Sequence, residues 1–475
     1  MIMSNDRNVR VVLMHPPLRN MVVAATPDYV DENRGYTPPL GLLYIQSAIE
    51  RSRHESVFLD AHLEGWDHVE AARQALAHDP DIVGIQAMTF TIRDAHLLAL
   101  AIKRLRPDVK VLIGGPHPTL YPYETASLEA IDFAFAGEGE LGIVKFLDAF
   151  HDAEACANVP GIACKINGRI NVTPSTGYIE DLNHVPFPAR RSSSYKRYSS
   201  VLAQRHPITV AITSRGCPFS CIFCNRMGRR YRCHSAEYVL AEFEDIVSLG
   251  IGEVFIHDDV FTLHRERVEA ICRGLIARRP DLIWQARTRV DLVDEEMLAL
   301  MRESGCQRLS FGVESGSEKV LRSMHKDIDL NRVEKVFSWC RREGIVTLAD
   351  FMIGNLDETA EDVEKTLALM KRINPDYVQF SICSPYPGTA LYELGQTRGL
   401  IQSDVWLDFA KNPLSKFRSL VWTEHFSEEE LVRMTAKAYR SFYLRPMFIL
   451  KQMRKINSFQ QLKTMARGAI GMMAK

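Results

Sequence analysis

The apolar positions of the first 140 residues follow two alternating periods. Short runs rich in Val, Ile and Leu at Arg10–Met14, Ser56–Leu59, Ile82–Gln86, Val109–Ile113 and Ile131–Ala136 read as strands. Between them, Leu40–Arg51, Val69–Ala77 and Ala95–Arg104 space their apolar residues three and four apart and read as amphipathic helices. Strands alternating with helices in this way predict a parallel, doubly wound α/β sheet. Turn residues follow the strands at Pro16-Pro17, Gly114-Gly115-Pro116 and Gly137-Glu138-Gly139-Glu140, and the carboxyl edge of such a sheet is where ligands bind.

From about Val159 to Arg191 the pattern loosens into short strands, an Asn167-Gly168 hairpin signal and a Val185-Pro186-Phe187-Pro188 stretch, which read as a linker. A second series then places strands near 208–213, 253–257, 283–287, 308–313, 347–353 and 377–382. Helices are expected at Ala236–Ser248, Arg265–Arg278, Glu295–Glu303, Asn331–Glu343 and Ala360–Arg372. Six β/α units predict a partial barrel with its chemistry at the carboxyl ends of the strands. Beyond about Leu400 the chain is mostly helical. The expected organisation is 1–145 for the doubly wound Rossmann-like domain, 146–199 for the linker, 200–400 for the barrel and 401–475 for a helical, basic end.

At 46% apolar and 25% charged residues, disorder and a disulfide scaffold are excluded. No apolar run approaches the roughly 18 residues of a membrane-spanning helix, and Met1–Arg10 lacks the apolar core of a secretory signal, so a cytoplasmic protein is expected. The net charge of −1 hides an asymmetry. Residues 431–475 hold ten Lys and Arg and no Asp or Glu, which leaves about −11 on the rest of the chain. Leu431, Met434, Ala438, Phe442 and Leu444 alternate there with Arg433, Lys437, Arg440 and Arg445. A basic amphipathic helix of this kind can make a peripheral membrane contact, or it can pack across the barrel. Aromatic residues are too sparse around it for a nucleic-acid site.

Seven of the ten cysteines stand alone and read as small buried hydrophobes. The other three form Cys217-Pro218-Phe219-Ser220-Cys221-Ile222-Phe223-Cys224, directly after the first strand of the second series. Three thiolates this close can converge on one metal centre. Zinc would require a fourth ligand, for which Cys233 or His234 could serve; an iron–sulfur cubane held by three cysteines leaves one iron open.

This CxxxCxxC segment, with an aromatic residue before its last cysteine, resembles the signature of the radical S-adenosylmethionine (SAM) superfamily. The resemblance implies that Cys217, Cys221 and Cys224 hold a 4Fe-4S cluster whose open iron chelates SAM and cleaves it to a 5′-deoxyadenosyl radical, with Phe223 against the adenine. Ile256-His257-Asp258-Asp259 ends the second strand with paired carboxylates, as in similar enzymes, which places Asp258 at the cofactor; the alternative is an acidic loop or helix cap. Phe311-Gly312-Val313-Glu314-Ser315 looks like the family segment whose Glu, here Glu314, faces SAM. Phe351-Met352-Ile353-Gly354 ends the fifth strand, where the family contacts adenine through backbone at Gly354. The sequence then departs from the expected GxPGET, reading Gly354-Asn355-Leu356-Asp357-Glu358-Thr359, so no role is assigned to Glu358. Ser384-Pro385-Tyr386-Pro387-Gly388-Thr389 matches the segment closing the sixth strand in relatives.

A Rossmann-like domain ahead of such a barrel resembles the cobalamin-binding subfamily. By that resemblance Pro39 and Gly41 at the first helix, Asp60 after the second strand, Gly114, Gly115 and His117 after the fourth, and Gly137, Glu138 and Gly139 after the fifth bind cobalamin. Asp60-Ala61-His62-Leu63-Glu64-Gly65 fits DxHxxG, the pattern that supplies an axial histidine in other cobalamin proteins, but it follows the second strand instead of the first. Cobalt without a protein histidine is therefore expected, with His62 and His15 as weaker candidates. No GxGxxG follows Val11–Met14, which argues against a dinucleotide. The retained glycine turns argue against a domain that has lost its cofactor.

The function these resemblances imply is a cobalamin-dependent radical SAM methyltransferase acting at an unactivated carbon by way of methylcobalamin. An oxidative cyclase like the anaerobic magnesium-protoporphyrin ester cyclase is the alternative, and a non-catalytic cobalamin or redox sensor is the alternative from another class. The expected partners are a small-molecule substrate, hydrophobic like a lipid or tetrapyrrole, and an electron donor such as flavodoxin or ferredoxin. The residue acting on substrate is not legible.

Overall fold

The computed structural model describes residues 7–23, 35–175, 177–225 and 229–453. The strands of the first 200 residues are β1 (Arg10–His15), β2 (Gly35–Tyr36), β3 (Glu55–Asp60), β4 (Ile82–Gln86), β5 (Lys110–Gly114), β6 (Phe133–Phe135), β7 (Ile162–Ile166), β8 (Arg169–Val172) and β9 (Ser199–Ser200). The rest of the chain adds β10 (Ile208–Ala211), β11 (Ser214–Arg215), β12 (Arg232–Cys233), β13 (Glu253–Ile256), β14 (Ile283–Thr288), β15 (Cys306–Glu314), β16 (Val346–Ile353) and β17 (Tyr377–Ile382).

The first sheet has the order β3-β1-β4-β5-β6-β7-β8. Strands β3 to β6 are parallel and joined by helices, as the alternation predicts. The sheet is not wholly parallel, because β7 and β8 lie antiparallel beyond β6. Asn167 and Gly168 both take positive φ, +49° and +79°, the geometry that a two-residue hairpin needs. The hairpin therefore forms locally and covers the edge of the three-residue β6. The segment expected to be a linker begins with two strands of this sheet.

The second sheet runs β10-β13-β14-β15-β16-β17, all parallel, a six-stranded partial barrel. Alternate residues face outward: Val254, Ile256, Trp284, Ala286, Leu309, Phe311, Ala349 and Phe351 are buried beneath the helices. Those helices are Ala236–Ser248, Arg265–Arg278, Glu295–Glu303, Leu330–Arg342 and Ala360–Ile373. Most start where the sequence offers a cap; Ser235 accepts from the Tyr238 N–H and Asp294 from the Met297 N–H, for example.

A barrel left open at β17 exposes a row of unpaired backbone groups. Here the helix Glu428–Tyr443 covers that edge. The Tyr439 hydroxyl accepts from the Phe380 N–H (2.9 Å) and donates to the Phe380 carbonyl (3.0 Å). One turn later the Tyr443 hydroxyl does the same for Val378, at 3.1 and 2.8 Å. Leu431, Ala438, Tyr439 and Phe442 are buried in the barrel core. Residues 431–443 thus pack across the barrel, and of the two expectations for this basic helix the membrane-lying one does not hold for them. Arg445 just beyond bonds to the Phe442 carbonyl and to Asn374, and the basic residues from Arg454 onward fall outside the described residues. No helix among the described residues is long and apolar enough to cross a membrane.

Candidate functional site

Strand β10 runs straight into the cysteine segment, and its exit is held by Asp258. The Asp258 carboxylate accepts from the Thr213 N–H and hydroxyl, both at 2.6 Å, and from the Ser214 hydroxyl at 2.7 Å. At 2% exposure and with both oxygens occupied, Asp258 braces this loop, which replaces the expectation that it contacts the cofactor. Strands β11 and β12 then pair as a two-residue antiparallel ladder, and the chain between them carries Cys217, Cys221 and Cys224. The loop is tied down on its far side too. The Ile222 N–H donates to the Met324 carbonyl (3.1 Å), its carbonyl accepts from the Leu391 N–H (3.0 Å), and Asn225 Nδ2 donates to the Pro387 carbonyl (2.6 Å). The proline-rich segment after β17 therefore helps to seat the cysteines.

Cys221 and Cys224 share a hydrogen bond that lowers the Cys221 thiol to about 6, assisted by the charges of Lys326 and Arg289, and raises Cys224. Deprotonation is what a metal demands of its thiols. Four ligands on one zinc at about 2.3 Å would bring their atoms within about 4 Å of one another. Among the described residues, these cysteines form no group of three or more with Cys233 or His234 within 4.8 Å. His234 is instead fully buried and stacked on Tyr238 at 3.9 Å. Zinc thus lacks its fourth ligand among the described residues, whereas an iron–sulfur cubane needs only the three cysteines.

At the barrel mouth, Glu314 ends β15 with φ +64°, where the ladder to β16 shifts register. Its carboxylate meets the Lys326 ammonium at 3.0 Å, both side chains being nearly buried. Burial alone would lower the Lys326 ammonium, but the charges of Glu314 and Cys221 raise it. Lys326 is turned inward between His325 and Asp327, which both adopt left-handed backbone at φ +54° and +42°. Three such residues, each costing roughly 1–2 kcal/mol, mark a geometry maintained against local preference. Gly312 leaves room for this pair, since a Cβ there would lie 2.8 Å from Lys326 Nζ. No motif near Lys326 identified it; only the fold brings it to Glu314, twelve residues upstream.

Phe223 packs against a buried cluster of Ile222, Leu356, Cys383, Leu391 and Trp422. Gly354 has φ +80°, and a Cβ there would meet Leu431 at 2.6 Å. The departure from GxPGET does not remove the turn, because Asp357 itself takes the left-handed conformation at φ +58°. Glu358 secures it by accepting from the Gly354 N–H (2.6 Å) and the Asn355 N–H (3.0 Å). Deeper in the lumen, Asp350 has one oxygen without a partner, and burial lifts its carboxyl to about 6.

The first domain presents its glycine turns at the same carboxyl edge. Gly115 has φ +114°, and a Cβ there would sit 2.8 Å from the Ala87 carbonyl. A Cβ on Gly114 would meet nothing within 4 Å, so protein packing does not explain that glycine, whereas a bulky group lying against the backbone does. The Gly137 N–H donates to Thr119 Oγ1 (2.9 Å), and Gly139 lies against Ile45. Pro39 precedes the helix Leu40–Glu50, in which Gly41 faces Gln86. His117 is fully buried with Nε2 unpartnered, and burial lowers it to about 3, so its ring is neutral. This open, glycine-lined cradle with one free buried nitrogen fits a cobalamin nucleotide tail.

Two carboxylates expected at that cofactor are committed elsewhere. Asp60 accepts from the Tyr198 hydroxyl (2.9 Å), the Tyr36 hydroxyl (3.2 Å) and the Leu63 N–H (3.1 Å), and pairs with His15 at 3.3 Å. It caps the one-turn helix Ala61–Glu64 and ties in the segment before β10. His62 lies in that turn, with its ring edge-on to Tyr36 at 4.6 Å. Glu138 is held by Arg232 in a two-pronged contact (2.7 and 2.8 Å), by the Ile179 N–H (2.7 Å) and by Arg215 (3.4 Å), and Glu140 meets Arg215 at 2.6 Å. Burial would raise the Glu138 carboxyl, but these donors hold it below the usual range.

The Radical SAM superfamily profile matches residues 211–370, and the B12 binding domain profile matches residues 27–147. An uncharacterized methyltransferase of Pyrococcus horikoshii is 34% identical over 89% of this chain and 91% of its own length. The anaerobic magnesium-protoporphyrin IX monomethyl ester cyclase of Rubrivivax gelatinosus is 28% identical over 88% of this chain and 76% of its own. In fold, the chain is similar to the radical SAM methyltransferase TsrM from Kitasatospora setae, solved with cobalamin and a [4Fe-4S] cluster bound. The TM-score is 0.71 at 17% identity, covering 93% of this chain and 90% of that one.

Proposed function

The chain belongs to the cobalamin-binding radical SAM enzymes, and on that footing we propose that it transfers a methyl group from SAM to an unactivated carbon of a small molecule. The observation that carries this reading is the meeting of the two carboxyl edges, where the glycine turns of the first domain touch the base of the cysteine loop through Glu138 and Glu140. When bound, the cluster, SAM and cobalamin supply one-electron cleavage of a sulfonium and a transferable methyl group. We assign Cys217, Cys221 and Cys224 to the cluster. The Glu314–Lys326 pair presents one charge of each sign at the barrel mouth, complementary to the amino and carboxylate groups of SAM. Phe223 offers an apolar face to adenine and Gly354 its backbone. Gly114, Gly115, Gly137 and Gly139, with Pro39, Gly41 and the neutral His117, receive the corrinoid.

The electron comes in this reading from a flavodoxin or ferredoxin. A hydrophobic substrate, lipid or tetrapyrrole, is supported by the porphyrin ester in the name of the Rubrivivax relative. The proposed location is the cytoplasm, with peripheral membrane contact through the C-terminal region, where Ile449 and Leu450 are exposed.

The test is anaerobic reconstitution with iron, sulfide and cobalamin, followed by reduction and addition of methyl-labelled SAM with lipid and tetrapyrrole fractions. Label in an isolated product supports the proposal. 5′-Deoxyadenosine formed while all label stays in methionine overturns it in favour of oxidative ring closure. Absence of any SAM cleavage overturns it in favour of a sensor.

A further inference from the structure

The two-residue ladder that closes the base of the cysteine loop is built from residues that repel each other. Its register sets Arg215 directly opposite Arg232, and like charges facing each other across antiparallel strands are destabilising. Among the described residues, neither arginine has a carboxylate partner within the barrel. Arg215 meets Glu140 at 2.6 Å and Glu138 at 3.4 Å, and lies over the Tyr44 ring. Arg232 meets Glu138 and the Ile179 carbonyl, both at 2.7 Å, and lies over the Tyr178 ring. Every one of these partners lies within the first 180 residues. The four charged side chains are only 7–17% exposed, so water does little to screen them.

We propose that Glu138 and Glu140 are positioning residues that close the cysteine loop, so that the barrel forms its cluster-binding loop only against the docked first domain. The acidic turn neutralises the two facing arginines, and the two-pronged Glu138–Arg232 contact fixes direction as well as distance. One turn thereby sets the cysteines relative to the glycine cradle, so that both sites face one reaction space. The inference rests on the reading that the two domains serve one reaction, but its test does not require turnover.

The experiment compares the natural chain, the double variant E138Q/E140Q and the triple variant R215Q/E138Q/E140Q, all free of cofactor, by amide hydrogen exchange. The double variant is expected to exchange at least tenfold faster at residues 213–217 and 231–235, with β14, β15 and β16 unchanged, and to load less iron on reconstitution. The triple variant, which lacks the facing like charge, is expected to return within about threefold of the natural protein. Unchanged exchange in the double variant would overturn the proposal. So would a double variant that keeps its ladder and iron but loses cobalamin, since the glutamates would then be direct contacts. If the double variant does not fold, the single variant E140Q is read the same way, with faster ladder exchange supporting the proposal and unchanged exchange overturning it. A failed methyl-transfer assay leaves each of these outcomes intact.

Discussion

Replacing Tyr439 with Phe removes one oxygen from the barrel edge and leaves the shape of the side chain in place. That oxygen satisfies both the N–H and the carbonyl of Phe380, a residue with 1% exposure beneath a helix that is itself buried at this point. A buried backbone group deprived of its partner costs about 1–3 kcal/mol, so two such groups put the loss near 2–6 kcal/mol. Tyr443 makes the same pair of bonds to Val378, itself 4% exposed, from a hydroxyl that is also buried, so a loss of similar size is expected. Because the chain holds more than one cooperative unit, the assay is native-state hydrogen exchange read on the slowest amides of β16 and β17. At tenfold per 1.4 kcal/mol, each variant accelerates them by about 30-fold or more, and neither alters β1 or β4. Less than threefold acceleration in both variants would refute the reasoning that this helix acts as a seventh partner for the open sheet.

Two further outcomes follow from the site geometry. Gly114→Ala leaves the thermal midpoint of the cofactor-free protein unchanged but weakens cobalamin retention, whereas Gly115→Ala lowers that midpoint by itself, because its φ of +114° and the nearby Ala87 carbonyl exclude a side chain. Glu358 is lifted by burial to about 7, so the folded state favours its acid form. The stability it contributes is present below about pH 4 and lost as the pH rises through 7. Glu358→Gln keeps an acceptor for the Gly354 and Asn355 N–H groups. Its urea midpoint is therefore expected to match that of the natural chain at pH 4 and exceed it at pH 8.

Hydrophobic period placed the parallel strands of both sheets and their long helices, because helices such as Ala236–Ser248, Arg265–Arg278 and Glu295–Glu303 bury one face against a sheet. The cysteine spacing and the glycine turns were equally legible, since a metal loop and a backbone cradle are local features whose residues are neighbours in the chain. What the sequence could not disclose is where charges go. Glu138 and Asp60 read as ligands because they stand in the right loops. Only the packed structure shows Arg215 and Arg232, about 80 residues or more downstream, claiming the first, and Tyr198 claiming the second. Lys326 is invisible until β15 and the turn after the helix Glu318–Ser323 are side by side. The basic carboxyl end, ambiguous as a pattern, was decided for residues 431–443 by an unsatisfied strand edge that exists only once six strands have assembled. Local chemistry is written in adjacent residues, whereas the partner of a buried charge or a bare strand edge is set by which surfaces the fold brings together, and no local pattern encodes that.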